Sequence, residues 1–482
     1  MKKIIFIAFL ISILLASFDK TVAQSSNDTL SIKVDSLFEK QYNSNSPGMT
    51  ILVVQNGEVI LQRSYGMANL EYKVPITKST VFDIASLSKQ FTGMAISMLI
   101  EQGKISLQDD IRKYIPDLPD FGYRITVENL IHHTSGIRDW VRSLMLAGWQ
   151  MTDALSFEQI LNMAYNQKEL NFEPGSEYSY SNTDYVLLAE LVHRVTGITF
   201  RDWTDKNIFQ PLGMKDTHFH DNFTEVVRNK AYGYERSDDG NFHTVNNGLC
   251  AYGSSSLFTT NEDLAKWVIN FDNTSVGGNS VITRMLQCGI LNNGSPISYA
   301  FGLGIGTYRG LQTINHSGSW ASFKTFLLRF PKQHFSVVVL MNYTPSDAGE
   351  VAFKIADIYL ATKLAPINNS DNMPISQSDS ASTHVPSKMQ FVDLLGDYKS
   401  DELKILLTVA VEDEKLVIKH WRYGTINLSW ANNDNFRTGK MFMQSIDFYR
   451  NDKGRVIGLR ISDRFNKQDA RSRNQRFVKL GL

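Results

Sequence analysis

Hydrophobic residues recur at intervals of three and four along "DIASLSKQFTGMAISMLIEQG" (Asp83 to Gly103), with Phe91, Met94, Ala95, Met98 and Leu99 on one face. That spacing predicts a helix with one side in a core. The same period runs through "LSIKVDSLFEKQYNS" (Leu30 to Ser44) and through "NTDYVLLAELVHRVTG", which stops at Gly197 as helices commonly do. Between them, "GMTILVVQNGEVILQRSYGMAN" gives two β-rich runs about Gln55-Asn56-Gly57-Glu58, a strong hairpin signal. "FKTFLLRFPKQHFSVVVLMNY" predicts two further strands about Pro331-Lys332-Gln333, and a helix is expected over Ser346 to Leu360. From Ile105 to Lys266 helical patterns and loops dominate. Helix and hairpin early, then hairpin and helix late, predict one antiparallel sheet built from both ends of this region. A mainly helical subdomain would fill the middle, giving an α/β (α+β) fold.

The stretch "LAPINNSDNMPISQSDSASTHVPSK" is rich in Ser, Asn, Asp and Pro and predicts a linker over 364–388. Beyond it, runs such as "KILLTVAVEDEKLVIKHW" and "MFMQSIDFYRNDKGRVIGLRI" predict a small all-β barrel or sandwich over 389–482. At the other end, Lys2 and Lys3 precede an apolar run, Ile4 to Phe18, and Thr21-Val22-Ala23 offers small residues for cleavage. A signal peptide over 1–23 is expected, with export to the periplasm or medium and no membrane span after its removal. The first domain then covers 24–363.

Without Lys2, Lys3, Lys20 and Asp19 the chain carries 46 basic and 48 acidic residues. That near-neutral balance gives no electrostatic case for nucleic acid or an anionic membrane surface. Cys250 and Cys288 are the two cysteines, too few for a disulfide framework, although an oxidising compartment would let them pair. Stability must come from a core, which 43% hydrophobic residues can supply.

Ser86 and Lys89 lie one helical turn apart on a common face. A serine becomes a useful nucleophile when a neighbouring base takes its proton, and a lysine can be that base if its amine is neutral. Ser-x-x-Lys alone decides nothing, since Ser17 and Lys20 match it too. Two polar clusters elsewhere are candidate partners. Tyr180-Ser181-Asn182 precedes a strongly patterned helix, where it either caps that helix or faces a site. His316-Ser317-Gly318 lies just before an expected strand, as a glycine turn or as a place where a ligand meets the backbone.

In their order, Ser86-Leu87-Ser88-Lys89, Tyr180-Ser181-Asn182 and His316-Ser317-Gly318 resemble the three motifs of serine β-lactamases and penicillin-binding proteins. The Tyr-x-Asn motif looks like the class C branch, with its D-alanyl-D-alanine carboxypeptidases, D-aminopeptidases and related esterases. "LIHHTSGIRDW", "FEPGSEYSYSN", "IFQPLGMKDTHF" and "SSLFTTNEDLAKW" fit the same family, and the likeness covers Leu30 to Thr362. The segment past the linker is similar to a lipocalin-like appendage of some members. The resemblance implies that Ser86 attacks a carbonyl, that Lys89 and Tyr180 share general-base work, and that Asn182 orients Lys89 and substrate. It further implies an oxyanion hole from the backbone N–H groups of Ser86 and Ser319, and substrate contacts from His316, Ser317 and Gly318. How the base role divides between Lys89 and Tyr180 is left open by the resemblance.

One departure matters. β-Lactamases usually carry Lys-Thr-Gly as the third motif, whereas this chain has His-Ser-Gly. Lysine is a permanent cation that can hold a substrate carboxylate whereas histidine is only partly charged near neutrality, so the departure leaves open whether β-lactams are hydrolysed or only acylate the enzyme. His132 and His133 are expected to be structural. Asp216, His218 and His220 make a poor zinc pattern without a clear third ligand, and Gly302-Leu303-Gly304 is too short for a dinucleotide fingerprint. No metal or cofactor is expected. Trp320 and Tyr252 either line the pocket or pack. Arg437-Thr438-Gly439 is closer to Lys-Thr-Gly but lies beyond the linker.

The expected function is an exported serine hydrolase that forms an acyl-enzyme on an amide or ester, with D-amino-acid peptides and simple esters as candidate substrates. A catalytically silent receptor for a peptidoglycan-like ligand and an acyltransferase using the same acyl-enzyme are the alternatives. The expected partner is a small-molecule or peptide substrate, and the sequence leaves oligomeric state undetermined.

Overall fold

A computed structural model of the chain describes residues 28–366, 391–463 and 471–481. The expected leader and most of the expected linker lie outside the described residues. The predicted hairpin forms strands β1 (Met49–Gln55) and β2 (Glu58–Tyr65), joined by Asn56 and Gly57 at φ 51° and 79°. Two successive positive φ values make the tight turn whose twist suits a hairpin, and Asn-Gly is the pair that adopts it most readily. Four more strands come from the far end of the first domain: β3 (Gly304–Tyr308), β4 (Leu311–Trp320), β5 (Phe323–Phe330) and β6 (Phe335–Met341). The sheet order is β3-β4-β5-β6-β1-β2. β1 pairs antiparallel with β6, Met49 opposite Met341 and Val53 opposite Val337, so both ends of the region meet inside one sheet.

Alternation decides which helices cover which face. Met49, Ile51 and Val53 of β1 join Val337, Val339 and Met341 of β6 in one core. That core is closed by the helix over 28–38 and by α4 (Ala348–Tyr359), which contributes Ala352 and Ile355. Leu52 and Val54, with Val338 and Leu340, face the larger core of the helical region. There α1 (Lys89–Glu101) and α3 (Asn182–Thr196) are almost wholly buried, and α2 (Trp140–Ala147) stands at the boundary with the second domain.

One expectation is corrected here. His316-Ser317-Gly318 lies inside β4, not before a strand, with His316 opposite Leu327 and Gly318 opposite Thr325. The turn falls instead at Ala321 and Ser322, at φ 43° and 65°. Neither residue type announces a left-handed turn, whereas His-Ser-Gly reads locally as one. Cys250 and Cys288 are unpaired.

The second domain is an antiparallel nine-stranded sheet that curls into a nearly closed barrel. Its order runs from Gly424–Asn427 back to Gly396–Ser400, passes to the last strand, Gln475–Lys479, and returns to Ser429–Asn432. The strands flanking the gap are thus neighbours in the chain. Tyr398, Leu407, Ile418, Phe448 and Phe477 fill the barrel core, and Leu146 of α2 belongs to the same cluster. The second domain therefore shares a core residue with the first. Polar contacts reinforce this docking: His420 Nε2 lies 2.9 Å from Leu146 O, Trp421 Nε1 donates to Ala147 O and Tyr423 Oη to Trp149 O. Gly148, at φ 105°, has no Cβ because one would sit 2.5 Å from the Trp421 ring. Among the described residues, no helix is long and apolar enough to cross a membrane.

Candidate active site

Ser86 sits in a single 3₁₀ turn, Ala85–Ser88, that leads into α1. Ala85 is held at φ 49°. Its backbone N–H donates to Asp83 Oδ1 at 2.8 Å, and Ser88 Oγ donates to Ala85 O and accepts from Leu257 N–H. A non-glycine residue in that region is sterically unfavourable, and these bonds hold it there. Gly318 of β4 completes the support from the other side. A Cβ on it would lie 2.3 Å from Ile84 O and 2.2 Å from Thr325 Oγ1, so glycine is what lets the strand reach the turn. The pleat then turns Ser317 and Ser319 toward the pocket.

Lys89 is the first residue of α1 and has no exposed surface. Its Nζ lies 2.8 Å from Asn182 Oδ1, 2.7 Å from Ser254 O and 3.1 Å from Ser86 Oγ. Burial, the largest influence, pushes the amine's pKa well below its ordinary value; Asp139 opposes this and Arg471 adds to it. A neutral amine has two N–H groups and one lone pair. Two oxygen acceptors use both N–H groups, which leaves the lone pair for the hydroxyl of Ser86.

Asn182 begins α3, and its orientation is fixed by Asp139. Both its backbone N–H and its Nδ2 donate to Asp139 Oδ2 at 2.7 Å, which turns Oδ1 to Lys89. Asp139 also caps α2 by accepting from Val141 and Arg142 N–H. Ser181 stands at the cap position of α3 but makes no capping bond, so the simple capping reading of that cluster fails.

Tyr180 lies in the loop before α3, and its hydroxyl is hydrogen-bonded to Ser86. Burial raises its pKa above the ordinary phenol value, more than the bond to Ser86 and the charge of Arg471 lower it. Lys89 Nζ stands 4.8 Å from its ring centre and the Arg471 guanidinium carbon 4.9 Å from it. The ring of His133, buried against Asp184 with Nδ1 at 3.0 Å from Oδ2, packs 4.5 Å from that of Tyr180.

His316 is buried, with Nε2 at 3.0 Å from Tyr299 Oη and Nδ1 at 2.7 Å from Ser317 O. Burial, the largest influence, pushes its pKa down to about 3, and Lys89, whenever it is protonated, adds to this. That shift favours the neutral ring near neutral pH, the ring having traded water for two protein partners.

These groups open onto a cavity of about 630 Å³ lined by both domains. Trp140 and Trp320 form an aromatic wall with Trp149, which stacks on Trp320 at 5.9 Å, while Tyr252 packs elsewhere, against Phe157. Met441 and Arg471 enter from the barrel. His218 and His220 do acquire a third neighbour in Glu225, but Arg201 holds that carboxylate at 2.6 and 2.9 Å. Four contributors escaped the reading of the sequence: Asp139, Ser254, Tyr299 and Arg471. Asp139 alone had a local signal, an acidic residue immediately before a helical pattern.

The Beta-lactamase family model matches residues 34–360. The chain is 27% identical over 330 residues to penicillin-binding protein 4* of Bacillus subtilis (strain 168), covering 64% of this chain and 71% of that one. It is 28% identical over 307 residues to a D-aminopeptidase of Gluconobacter oxydans (strain 621H), covering 64% of this chain but 57% of the relative. In fold it is similar to the octameric penicillin-binding protein homologue from Pyrococcus abyssi, with a TM-score of 0.61 at 21% identity. That likeness covers 94% of this chain and 99% of the other, so it extends beyond the first domain.

Proposed function

The chain belongs to the beta-lactamase family of serine hydrolases, and from that premise we propose that it cleaves an amide or ester through an acyl-enzyme on Ser86. The observation that carries the reading is the placement of Lys89, whose Nζ is held by Asn182 Oδ1 and Ser254 O at 3.1 Å from Ser86 Oγ, where a neutral amine could accept its proton.

Burial also supports a division of labour between Lys89 and Tyr180. It favours the neutral form of both, and a neutral amine is a base whereas a neutral phenol is an acid. Lys89 takes the Ser86 proton as Oγ bonds to the carbonyl carbon. The backbone N–H groups of Ser86 and Ser319 receive the developing oxyanion. As the bond to the leaving nitrogen or oxygen breaks, Tyr180 donates its proton to that atom and is reprotonated from Lys89. Water, deprotonated by the same pair, attacks the acyl carbon and Ser86 recovers its proton. Asn182 holds Lys89 and the substrate, Ser317 and Gly318 offer strand backbone to it, and His316 positions Tyr299 and the strand as a neutral ring. Export follows from the leader-like sequence and is part of the same proposal.

The test is covalent labelling by a fluorophosphonate, with the labelled peptide located by mass spectrometry. Label on Ser86, lost in Ser86→Ala together with a fall in ester turnover on the order of a thousand-fold, is the expected result. Near-normal turnover in that variant would transfer the nucleophile's role to another residue.

A further inference from the structure

Removing positive charge from His316 raises a question about the pocket: which group could receive an anionic substrate? Three other cations stand near it, and their partners differ. Arg142 lines the cavity but its Nε is paired with Asp463 at 3.2 Å. Lys324, opposite Ser319 on the next strand, does not line the cavity, and its Nζ donates to Ser319 Oγ at 2.7 Å. Arg471 lines the cavity beside Tyr180, and no carboxylate among the described residues pairs with its guanidinium.

The placement of Arg471 is fixed by its backbone. Its carbonyl accepts from Asp139 N–H at 3.0 Å and from Asn171 Nδ2 at 3.1 Å. Asn171 Oδ1 in turn accepts from Arg473 N–H at 2.8 Å, so one side chain of the first domain clamps both ends of this turn. Asp139 is the residue that aims Asn182, hence the segment carrying the arginine, just before the last strand, is tied to the same anchor as the base. The guanidinium itself makes none of these bonds. It rests on the Tyr180 ring, an arrangement that leaves its in-plane donors available.

We propose that Arg471, delivered by the barrel, is the carboxylate-binding residue of this pocket and selects substrates with a carboxylate on the leaving group. The inference rests on the reading of Ser86 as an acyl-forming nucleophile with Tyr180 as proton donor. The side of the scissile bond follows from that reading: the atom protonated by Tyr180 belongs to the departing fragment, and Arg471 lies against Tyr180. A guanidinium suits a carboxylate because two parallel N–H groups match its two oxygens.

The experiment compares two phenylacetyl esters, of 3-hydroxybenzoate and of 3-hydroxybenzamide, which share the acyl group and differ in one charge on the leaving group. A third ester, phenyl hemisuccinate, carries its carboxylate on the acyl side. Steady-state kinetics are measured for the full chain and for Arg471→Ala, Arg471→Lys and Lys324→Ala. Wild type should prefer the benzoate ester over the benzamide ester by about tenfold to a hundredfold in kcat/KM, the range of a charge-assisted contact. Arg471→Ala should erase that preference, the benzoate ester losing at least about tenfold more kcat/KM than the benzamide ester, mainly through KM. Arg471→Lys should recover part of it, and Lys324→Ala should leave it intact. Equal hydrolysis of both aryl esters by wild type would overturn the inference while leaving the Ser86 reading in place. So would an equal loss on both in Arg471→Ala, a preference that vanishes in Lys324→Ala, or an effect confined to the hemisuccinate. Hydrolysis of none of the three esters would sink the Ser86 reading and this inference with it.

Discussion

Burial acts on Lys89 and His316 in the same direction with opposite chemical consequences. Each loses its proton; the amine thereby becomes a base, and the imidazole loses the charge with which it could hold an anion. Turnover should rise with pH as Lys89 deprotonates, at a pH well below the ordinary lysine value. His316, pushed down to about 3, should contribute no titration between pH 5 and 8. The ratio of kcat/KM for a carboxylated and a neutral ester is therefore expected to stay flat across that range. A ratio that falls as pH passes 6.5 would restore the imidazolium. The same shifts bear on stability. His132 and His316 titrate at about 4 and about 3 when folded but near 6.5 when unfolded. Between those values the unfolded chain binds more protons, so stability is full above 6.5 and is lost as pH falls, by about 1.4 kcal/mol per pH unit for each residue. Urea midpoints at pH 7 and 5 would measure this, and His316→Asn should reduce the pH dependence. The identities of Ser86, Lys89, Tyr180 and Asn182 were legible because their motifs are local. The charge of His316 was not, because it depends on the water excluded by Tyr299 and the strand around it.

Among the elements, α2 and α3 begin at one carboxylate. Asp139 caps α2 and accepts twice from Asn182, a residue 43 positions away. The cap was legible in "SGIRDW"; the second bond was not, since no local pattern encodes a partner at that separation. Asp139→Ala should remove a cap worth about 1 kcal/mol and orphan two buried N–H groups at about 1–3 kcal/mol each. Asp139→Asn keeps a capping oxygen but cannot accept from Asn182 and the cap at full strength. Its expected effect is a fall in kcat of about tenfold to a hundredfold with KM little changed, because Lys89 loses its aim before the substrate loses its seat. Stopped-flow acylation of a neutral ester would check this; an unchanged kcat in Asp139→Asn would remove Asp139 from the positioning role. At β4 the periodicity located strands well, yet His-Ser-Gly was put before a strand and not inside one, because Ala321 and Ser322 adopt positive φ without the usual residue types.

The whole molecule is held together across its domains by a buried ion pair. Arg138 Nη1 lies 3.0 Å from both oxygens of Glu402, and Glu402 also accepts from Lys168 N–H and Gln475 Nε2. Arg138 is 1% exposed, so Glu402→Ala would strand a buried cation at a loss of about 3–5 kcal/mol. A melting temperature lowered by several degrees, with Glu402→Gln in between, is the expected result; an unchanged one would mean that water reaches Arg138. A chain shortened to residue 362 is expected on this ground to fold poorly. The barrel was legible from its short alternating strands, but its docking face was not, since Glu402, Trp421 and Arg471 look like ordinary surface residues in a sequence. A last consequence concerns time. Inside the six-stranded sheet β1 pairs with β6, Gln55 opposite Phe335 at the nearer end. Closing a loop of that length carries an entropy of about 5 kcal/mol, and a ribosome adding ~5–20 residues per second needs roughly 15 to 60 seconds to produce the partner. Throughout that interval β1, apolar and paired on one side by β2, keeps its other edge open to pairing with another chain.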